Sequence, residues 1–429
     1  MKAIYLLFIA SCLAACDQSL NEDKEIATEV PTVDVEDTDS VTPQLPERTT
    51  TPLIPLELSP AEQAMAEGNN TFAFELFKEV NRVNKETNTF LSPLSASYAL
   101  NMVSNGAAGK TLAEMQTVLS LAGHTQSEIN DFYKKLTSYL STADGQTILG
   151  IANSIWLSEG FPVLPAFVDV NKDSYSAEVH DVHFNEATLK AINQWVNDKT
   201  YGCIPKILDQ LGGDSYLINA LYFNGVWQNP FGSEPGDFIN NDGSSVPVTM
   251  LKNTGTYSYY ADNALQIVEL PYGNGTYSMV LLLPKDDPTL EKTIASLTPD
   301  NWNQWMNGIK NGYYIHVELP TFELSYDKVL NQPLRTLGMA EAFSSTADFS
   351  KMSPVKPLYI SMVLQKSYIK VDEYGTTAAA VTTIGMWGSS GQPTTLPEPI
   401  DFIANKPFLY AIKENSTQTI LFLGNMEKL

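Results

Sequence analysis

The order of helical and strand-like patterns along the chain constrains its fold most strongly. Early on, Phe72, Leu76, Phe77 and Val80 recur at helical spacing, and a second helical stretch covers 187–200. Strand-like runs rich in branched and aromatic residues come later, at 216–227, 264–272, 276–284, 314–324, 358–373 and 407–414. Because helices precede strands and no repeat is present, we expect a mixed α/β chain with several sheets, not an alternating doubly wound sheet.

A buried helix is predicted near residue 93. Ser92-Pro93 is typical of a helix start, because proline fits the first turn. The apolar residues that follow, from Leu94 to Val103, recur on more than one side of such a helix. We therefore expect this helix to lie inside the protein.

Composition indicates a large core without disulfide bonds. Of the 429 residues, 43% are hydrophobic, which is enough for a sizeable interior. Two of the three cysteines, Cys12 and Cys16, lie in the first sixteen residues, so the folded part has only Cys203. The formal net charge is −23, which argues against nucleic acid or heparin as a partner.

The N-terminus has the pattern of a targeting segment. Met1-Lys2 precedes the apolar run 3–15, which is too short to span a membrane stably. Leu13-Ala14-Ala15-Cys16 resembles a bacterial lipobox, with a plain secretory signal as the alternative. We predict cleavage after residue 15, lipidation of Cys16 and a lipid-anchored protein of the bacterial cell envelope, facing the periplasm or the cell exterior.

Residues 16–60 are predicted to form the lipidated cysteine and a disordered tether. Eleven acidic residues face two basic ones in this segment, and six prolines oppose regular structure. Asp17 directly after the cysteine resembles an inner-membrane retention signal, whereas Glu22 and Asp23 resemble a surface-export signal. Both locations therefore stay open.

Motifs for enzyme chemistry are incomplete. Residues 104–111 lack the first glycine of a phosphate-binding loop and follow a helix, and 388–391 lack the spacing of a nucleophile elbow. His180 and His183 are three residues apart in a strand-like stretch and face opposite sides, and Cys203 has no histidine nearby. We expect no enzyme, no metal site and no cofactor.

An unusual segment follows Asp372-Glu373-Tyr374-Gly375. Residues 376–383 carry no charge, proline or large side chain, and 384–390 continue before a proline-rich stretch. Alternate positions from Thr376 to Met386 are all small or apolar. Such a segment suits an exposed loop and a strand with one buried face about equally well.

Motifs over nearly the whole folded part resemble one known family. They are residues 90–119, 219–227, Met250, 269–272, 347–350, 358–373 and 405–409. Their order and spacing, from about Asn70 to Gly424, resemble the serpins. The resemblance implies one domain at 61–429 with three β-sheets, about nine helices and a reactive loop at about 373–404. It also implies that a protease cuts the loop as substrate, and that the loop then inserts as a strand and traps the acyl-enzyme.

The resemblance assigns roles at the start of that loop. Glu373 and Gly375 begin it, and the hinge runs from Thr376 to Val381. Inhibitory members have a small uncharged residue first and alanines after it, which Thr376, Ala378, Ala379 and Ala380 match. The hinge therefore falls on the inhibitory side.

The resemblance also implies a polar cluster beneath the strands that part. Ser92, Ser95 and Asn219 match it, and Trp227 matches the tryptophan at the top of the opening. Most relatives have a histidine where this chain has Gln365. The amide still donates and accepts hydrogen bonds but does not titrate, so pH sensitivity from this position should be absent.

The position of the scissile bond depends on the direction of counting. Counting forward from Gly375 gives Ser389–Ser390, and counting backward from the motif at 405–408 gives Leu396. We favour the forward count, since the inserted strand must match the sheet. Cleavage at Met386 or Trp387 is the alternative for chymotrypsin-like or cysteine proteases.

Two functions are consistent with these patterns. The first is covalent inhibition of serine or cysteine proteases with elastase-, subtilisin- or chymotrypsin-like specificity. We expect such an inhibitor to be lipid-anchored and monomeric. The second is a serpin-fold binding or decoy protein that is cut without trapping. Heparin activation is not expected, because Lys134-Lys135 is only a pair.

Overall fold

Most helices of the described residues lie in the first half of the chain, as the sequence predicts, and three lie among the later strands. The computed structural model describes residues 4–5, 45–83, 88–212, 215–287, 289–376 and 398–429. These ranges contain nine α-helices: α1 Pro60–Val83, α2 Pro93–Ser104, α3 Gly109–Val118, α4 Gln126–Leu140, α5 Pro165–Tyr175, α6 Glu186–Lys199, α7 Glu291–Ala295, α8 Pro299–Gly308 and α9 Asn331–Thr336. A 3₁₀ helix covers Glu341–Phe343.

An eight-stranded sheet carries the features that matter for function. Its strands are β1 Ile4–Tyr5, β3 Thr147–Ser158, β4 Glu178–Val182, β5 Ser215–Val226, β11 Phe322–Val329, β12 Ile360–Met362, β13 Leu364–Asp372 and β14 Gly375–Thr376. The order across the sheet is β4-β3-β5-β14-β13-β11, and β1 lies between β5 and β12. The two-residue β14 pairs antiparallel with both β5 and β13.

The second sheet has nine strands. They are β2 Thr89–Leu91, β6 Gly232–Ile239, β7 Ser245–Ala261, β8 Leu265–Pro271, β9 Tyr277–Pro284, β10 Lys310–Pro320, β15 Ile400–Ile403, β16 Phe408–Glu414 and β17 Ile420–Met426. The order is β15-β10-β7-β8-β9-β16-β17-β2, with β6 beside β7. Because the seventeen-residue β7 runs through it, two of the three expected sheets are hydrogen-bonded into one.

Helix α2 lies between the two sheets, as its apolar pattern predicts. It contacts β5 of one sheet and β17 of the other. Ser92 caps it, accepting a hydrogen bond from the amide of Ser95 at 3.3 Å, and Pro93 occupies the first turn. The predicted buried helix is therefore confirmed, and it places Ser92 and Ser95 directly beneath the first sheet.

Several strands lie outside the predicted runs, and the three longest of them are β3, β6 and β7. In β6 and β7 most side chains are exposed or half-buried, so the apolar alternation that identifies a strand is weak. Strand β3 is buried only over its second half. These segments are strands because they form hydrogen bonds with neighbouring strands, and the hydrophobic pattern of their own sequence does not reveal this.

Part of the predicted tether contacts the folded body. Residues 45–59 contain no helix or strand, yet the Arg48 guanidinium donates to Oδ1 of Asn224 on β5, and the Thr49 amide donates to the carbonyl of Gly145 at 2.9 Å. The Leu56 side chain packs against the main core. For these residues the prediction of a free tether needs correction, because proline-rich chain can still bond through its carbonyl and amide groups. Residues 16–44 lie outside the described ranges.

Candidate functional site

A gap between two neighbouring strands defines the candidate site. In the described part of the chain, β5 and β13 are joined through β14 at the end of β5 marked by Gly225–Val226. At the opposite end, β1 bridges Ser215–Tyr216 of β5 to β12. Residues 4–5 belong to the segment whose cleavage the sequence predicts, so the lipidated protein would lack this bridge. Between these ends, the described residues show no direct backbone pairing of β5 with β13. We call this stretch between β5 and β13 the gap.

The four polar residues assigned to the cluster lie together beneath this gap. Gln365 on β13 bonds to the backbone of Ser92 in both directions, donating to the carbonyl at 2.5 Å and accepting from the amide at 3.1 Å. Ser95 donates its hydroxyl to Oδ1 of Asn219 on β5. The cluster therefore ties α2 to both edges of the gap.

A further residue, Asn153 on β3, extends the cluster. Asn219 donates from Nδ2 to Oδ1 of Asn153 at 2.7 Å, and Asn153 donates to the carbonyl of Tyr175 at 2.7 Å. Sequence reasoning missed Asn153, whose only signal was an asparagine within an otherwise apolar stretch. The chain of amides links the gap to helix α5.

A small cavity lies inside the cluster. Its volume is about 20 Å³, and Ser95, Asn219, Gln365, Leu217 and Leu364 are among its lining residues. A space of this size is sufficient for one water molecule. The strands are therefore imperfectly packed where an added strand would have to pass.

A tight turn at the end of β13 directs the reactive loop back into the sheet. The amides of Tyr374 and Gly375 donate to Oδ1 of Asp372 at 3.0 and 3.3 Å. Trp227 holds this turn from β5: its indole donates to the carbonyl of Asp372, and its amide donates to the carbonyl of Tyr374, both at 2.9 Å. The amide of Phe231 donates to the carbonyl of Glu373 at 3.0 Å.

The first hinge residue lies inside the sheet. Thr376 is 1% exposed and pairs with Val371 of β13 and Gly225 of β5. Its hydroxyl lies 2.5 Å from that of Tyr272, a residue that sequence reasoning did not single out. The ring of Tyr272 stacks on Trp227 with the centroids 4.4 Å apart.

Two glycines allow this close approach. A Cβ at Gly375 would lie 2.0 Å from the carbonyl oxygen of Gly225, and a Cβ at Gly225 would lie 2.8 Å from the ring of Tyr272. Both distances are too short for a side chain. The absence of side chains at 225 and 375 is therefore a packing requirement of the docked hinge.

Residues 377–397 of the predicted reactive loop lie outside the described residues. This covers Ala378, Ala379 and Ala380, the bond Ser389–Ser390 and the alternatives Met386, Trp387 and Leu396. Cys16 lies outside them as well. The described chain resumes at 398 and enters β15, which pairs with β10 of the second sheet. The loop therefore connects the two sheets.

The surroundings of His180 and Cys203 do not favour metal binding or nucleophilic catalysis. His180 stacks on Trp156 with the centroids 3.9 Å apart, and burial lowers the pKa of its imidazole. Burial raises the pKa of the Cys203 thiol to about 11, which disfavours the reactive thiolate. Within the described ranges, no three His, Cys, Asp or Glu side chains are grouped as metal ligands, and no helix is long and apolar enough to cross a bilayer.

Comparison with known proteins identifies the class to which this fold belongs. The family described as serpin (serine protease inhibitor) matches residues 67–429. The leukocyte elastase inhibitor of Sus scrofa is 34% identical over 381 residues, covering 85% of this chain and 99% of that protein. Iripin-8 of Ixodes ricinus is 30% identical over 391 residues, covering 87% and 96%. The chain belongs to the serpin family.

A solved structure shows the same fold. The crystal structure of a thermophilic serpin, tengpin, in the native state matches with a TM-score of 0.76 and 30% sequence identity. The match covers 89% of this chain and 97% of tengpin. The predicted fold, a mixed α/β serpin architecture, is confirmed.

We expect Gln365→His to make stability depend on pH near neutrality. An imidazole enclosed at this site would have its pKa lowered below the ordinary ~6.5 by desolvation. Between the two pKa values the unfolded chain binds more protons, so stability is full above about pH 6.5 and falls as the pH drops through this window. Denaturant midpoints at pH 7.5 and 5.5 measure the effect, with the non-titrating Gln365→Met as control. Equal pH profiles for the two variants would contradict the expectation.

Proposed function

We propose that this protein is a suicide-substrate inhibitor of serine or cysteine endopeptidases. The target cuts the reactive loop, and the loop then enters the gap between β5 and β13 before the acyl-enzyme is hydrolysed. The observation that carries the proposal is the position of Thr376, which already lies between these two strands in the uncleaved chain. Insertion would extend a strand that has begun.

The gap supports the same mechanism. Asn219 and Gln365 form hydrogen bonds to Ser95 and Ser92 of helix α2, which lies beneath the sheet. An incoming strand would therefore not need to replace these hydrogen bonds. An added strand between β5 and β13 would form backbone hydrogen bonds with both of these neighbours. Strand addition is therefore favourable, which supplies the free energy for moving a bound protease.

The target class follows from the loop sequence. Residues 376–404 contain no Lys or Arg, which disfavours a trypsin-like protease. Small residues at 389 and 390 suit an elastase- or subtilisin-like pocket, and Met386 or Trp387 suits a chymotrypsin-like one. Two mammalian relatives at 33–34% identity are named leukocyte elastase inhibitors.

We further propose that the inhibitor is anchored to the bacterial cell envelope through a lipid on Cys16. The lipobox-like residues 13–16 are the support for this location. Sulfated polysaccharide is not proposed as an activator, since Lys134 is paired with Asp173 at 2.8 Å and Lys135 with Glu62 at 2.9 Å. The proposed inhibitor therefore acts directly on its target.

A protease panel tests the inhibitor proposal. Pancreatic elastase or subtilisin, mixed with the protein at equal molar amounts, should give a band on denaturing gels that contains both chains. Its mass should equal their sum minus the C-terminal fragment released on cleavage. The mass of that fragment identifies the scissile bond, expected at Ser389–Ser390.

Protease with a blocked active-site serine is the matched control and should give no such band. Cleavage at every molar ratio, with no stable complex and no loss of protease activity, would instead establish the decoy function.

A further inference from the structure

Two buried hydroxyl groups join the reactive loop to the rest of the molecule. The oxygens of Tyr272 and Thr376 are 2.5 Å apart, and the two side chains are 0% and 1% exposed. The ring of Tyr272 is held on both sides, stacked on Trp227 and edge-on to Phe223 with the centroids 5.0 Å apart. The position of the Tyr272 hydroxyl is therefore set by the core before the hinge arrives.

Thr376 is the partner that the structure gives this phenol within the described part of the chain. Burial raises the pKa of Tyr272 well above its ordinary 10, so the group stays protonated and must bond as a hydroxyl. A buried hydroxyl without a partner is costly, because it has lost its hydrogen bonds to water and gained none. Withdrawal of the hinge would leave Tyr272 in that condition.

We propose that Tyr272 is a positioning residue that holds the hinge docked in the uncleaved inhibitor, through the hydroxyl pair with Thr376. "Docked" here means that Gly375 and Thr376 are paired with β5 and β13. The proposal rests on the proposed inhibitory function for its kinetic consequence, but the docking itself does not depend on any protease.

The kinetic consequence concerns the start of insertion. After cleavage, the loop must enter the sheet faster than water hydrolyses the acyl-enzyme. A docked hinge begins in register with both neighbouring strands, so the first step of insertion is already complete. Releasing the hinge should leave the rate of cleavage similar but increase the fraction of inhibitor that ends as spent, cleaved product.

A double-mutant cycle tests the hydroxyl pair. Tyr272→Phe keeps the ring and removes one hydroxyl, and Thr376→Val keeps the shape and removes the other. We expect hydrogen–deuterium exchange at the amides of Gly375 and Thr376 to become about tenfold faster in each single variant, which corresponds to ~1.4 kcal/mol. The double variant should exchange no faster than the single variants, since both substitutions remove the same hydroxyl pair.

Thr376→Ser is the matched control and should exchange as slowly as wild type, because it retains the hydroxyl. Melting temperatures of all variants separate local release of the hinge from global loss of structure. Single variants that exchange like the wild type would overturn the proposal. So would a double variant that exchanges faster than either single variant, because the two effects would then be independent.

The hydrogen–deuterium exchange measurement tests the role of Tyr272, and the protease assay independently tests the inhibitory function. If the cycle shows coupling but no protease is trapped, the docked hinge stands and the inhibitory function is wrong. If proteases are trapped but the cycle shows no coupling, the inhibitory function stands and the role of Tyr272 is wrong.

Discussion

Thr376→Arg is expected to convert the inhibitor into a substrate. Thr376 is buried inside the sheet, where the described residues that it contacts, Tyr272, Val371 and Gly225, are uncharged. Burying an unpaired guanidinium there costs about 3 kcal/mol or more. If that penalty is felt in the insertion step, each ~1.4 kcal/mol slows insertion about tenfold, so the ratio of cleaved to trapped inhibitor should rise roughly a hundredfold.

The measurement combines the molar ratio needed for full inhibition with denaturing gels. Cleavage between Met386 and Leu396 should continue at a similar rate, because the substitution lies outside the bond that the protease attacks. Cleaved wild type should gain heat stability from the added strand, and cleaved Thr376→Arg should gain little. Thr376→Ser should behave as wild type. A Thr376→Arg protein that traps protease as well as the wild type would show that this loop does not insert from Gly375 onward.

Among the variants proposed for this protein, Glu269→Ala is expected to lower the free energy of unfolding most. Glu269 on β8 lies 2.7 Å from the ammonium of Lys413 on β16, and the two side chains are 17% and 3% exposed. Lys413 also donates to Asn415 at 2.6 Å. Removing the carboxylate would leave a buried charge uncompensated, which costs about 3–5 kcal/mol of the free energy of unfolding.

Denaturant unfolding measures this loss, and two variants serve as controls. Glu186→Ala breaks an ion pair to Lys190 in which both side chains are more than three-quarters exposed, and should cost at most about 1 kcal/mol. The double variant Glu269→Leu with Lys413→Met removes both charges and should recover much of the stability. A Glu269→Ala loss no larger than that of Glu186→Ala would show that Lys413 finds water or another partner.

The limits of sequence reasoning are clearest at the hinge. The alternating small residues from Thr376 onward suited a loop and a strand equally, because period-two alternation describes one face of a strand but not the sheet that receives it. Pairing with β5 and β13 decides the matter for Thr376. That pairing depends on residues far away in the chain, which no local pattern contains.

The sequence by itself determined the features that depend on neighbouring residues, such as helix starts and apolar strands. The cap and proline at Ser92-Pro93 start helix α2, and apolar runs mark β5, β8, β9 and β16. The family motifs predict the hinge and the polar cluster. Each depends on residues that are neighbours along the chain or on a motif that can be read directly. The same reasoning missed β6 and β7, whose half-exposed residues have no strong alternation.

Only the tertiary structure decided which of these groups meet. Ser92 and Gln365 are 273 positions apart, Ser95 and Asn219 are 124 apart, and Tyr272 and Thr376 are 104 apart. The roles of Tyr272 and Asn153, and the contact of Arg48 with Asn224, arise from such long-range packing. The physical reason is that a hydrogen bond acts over about 3 Å in space, and the folded backbone alone determines which distant side chains come that close.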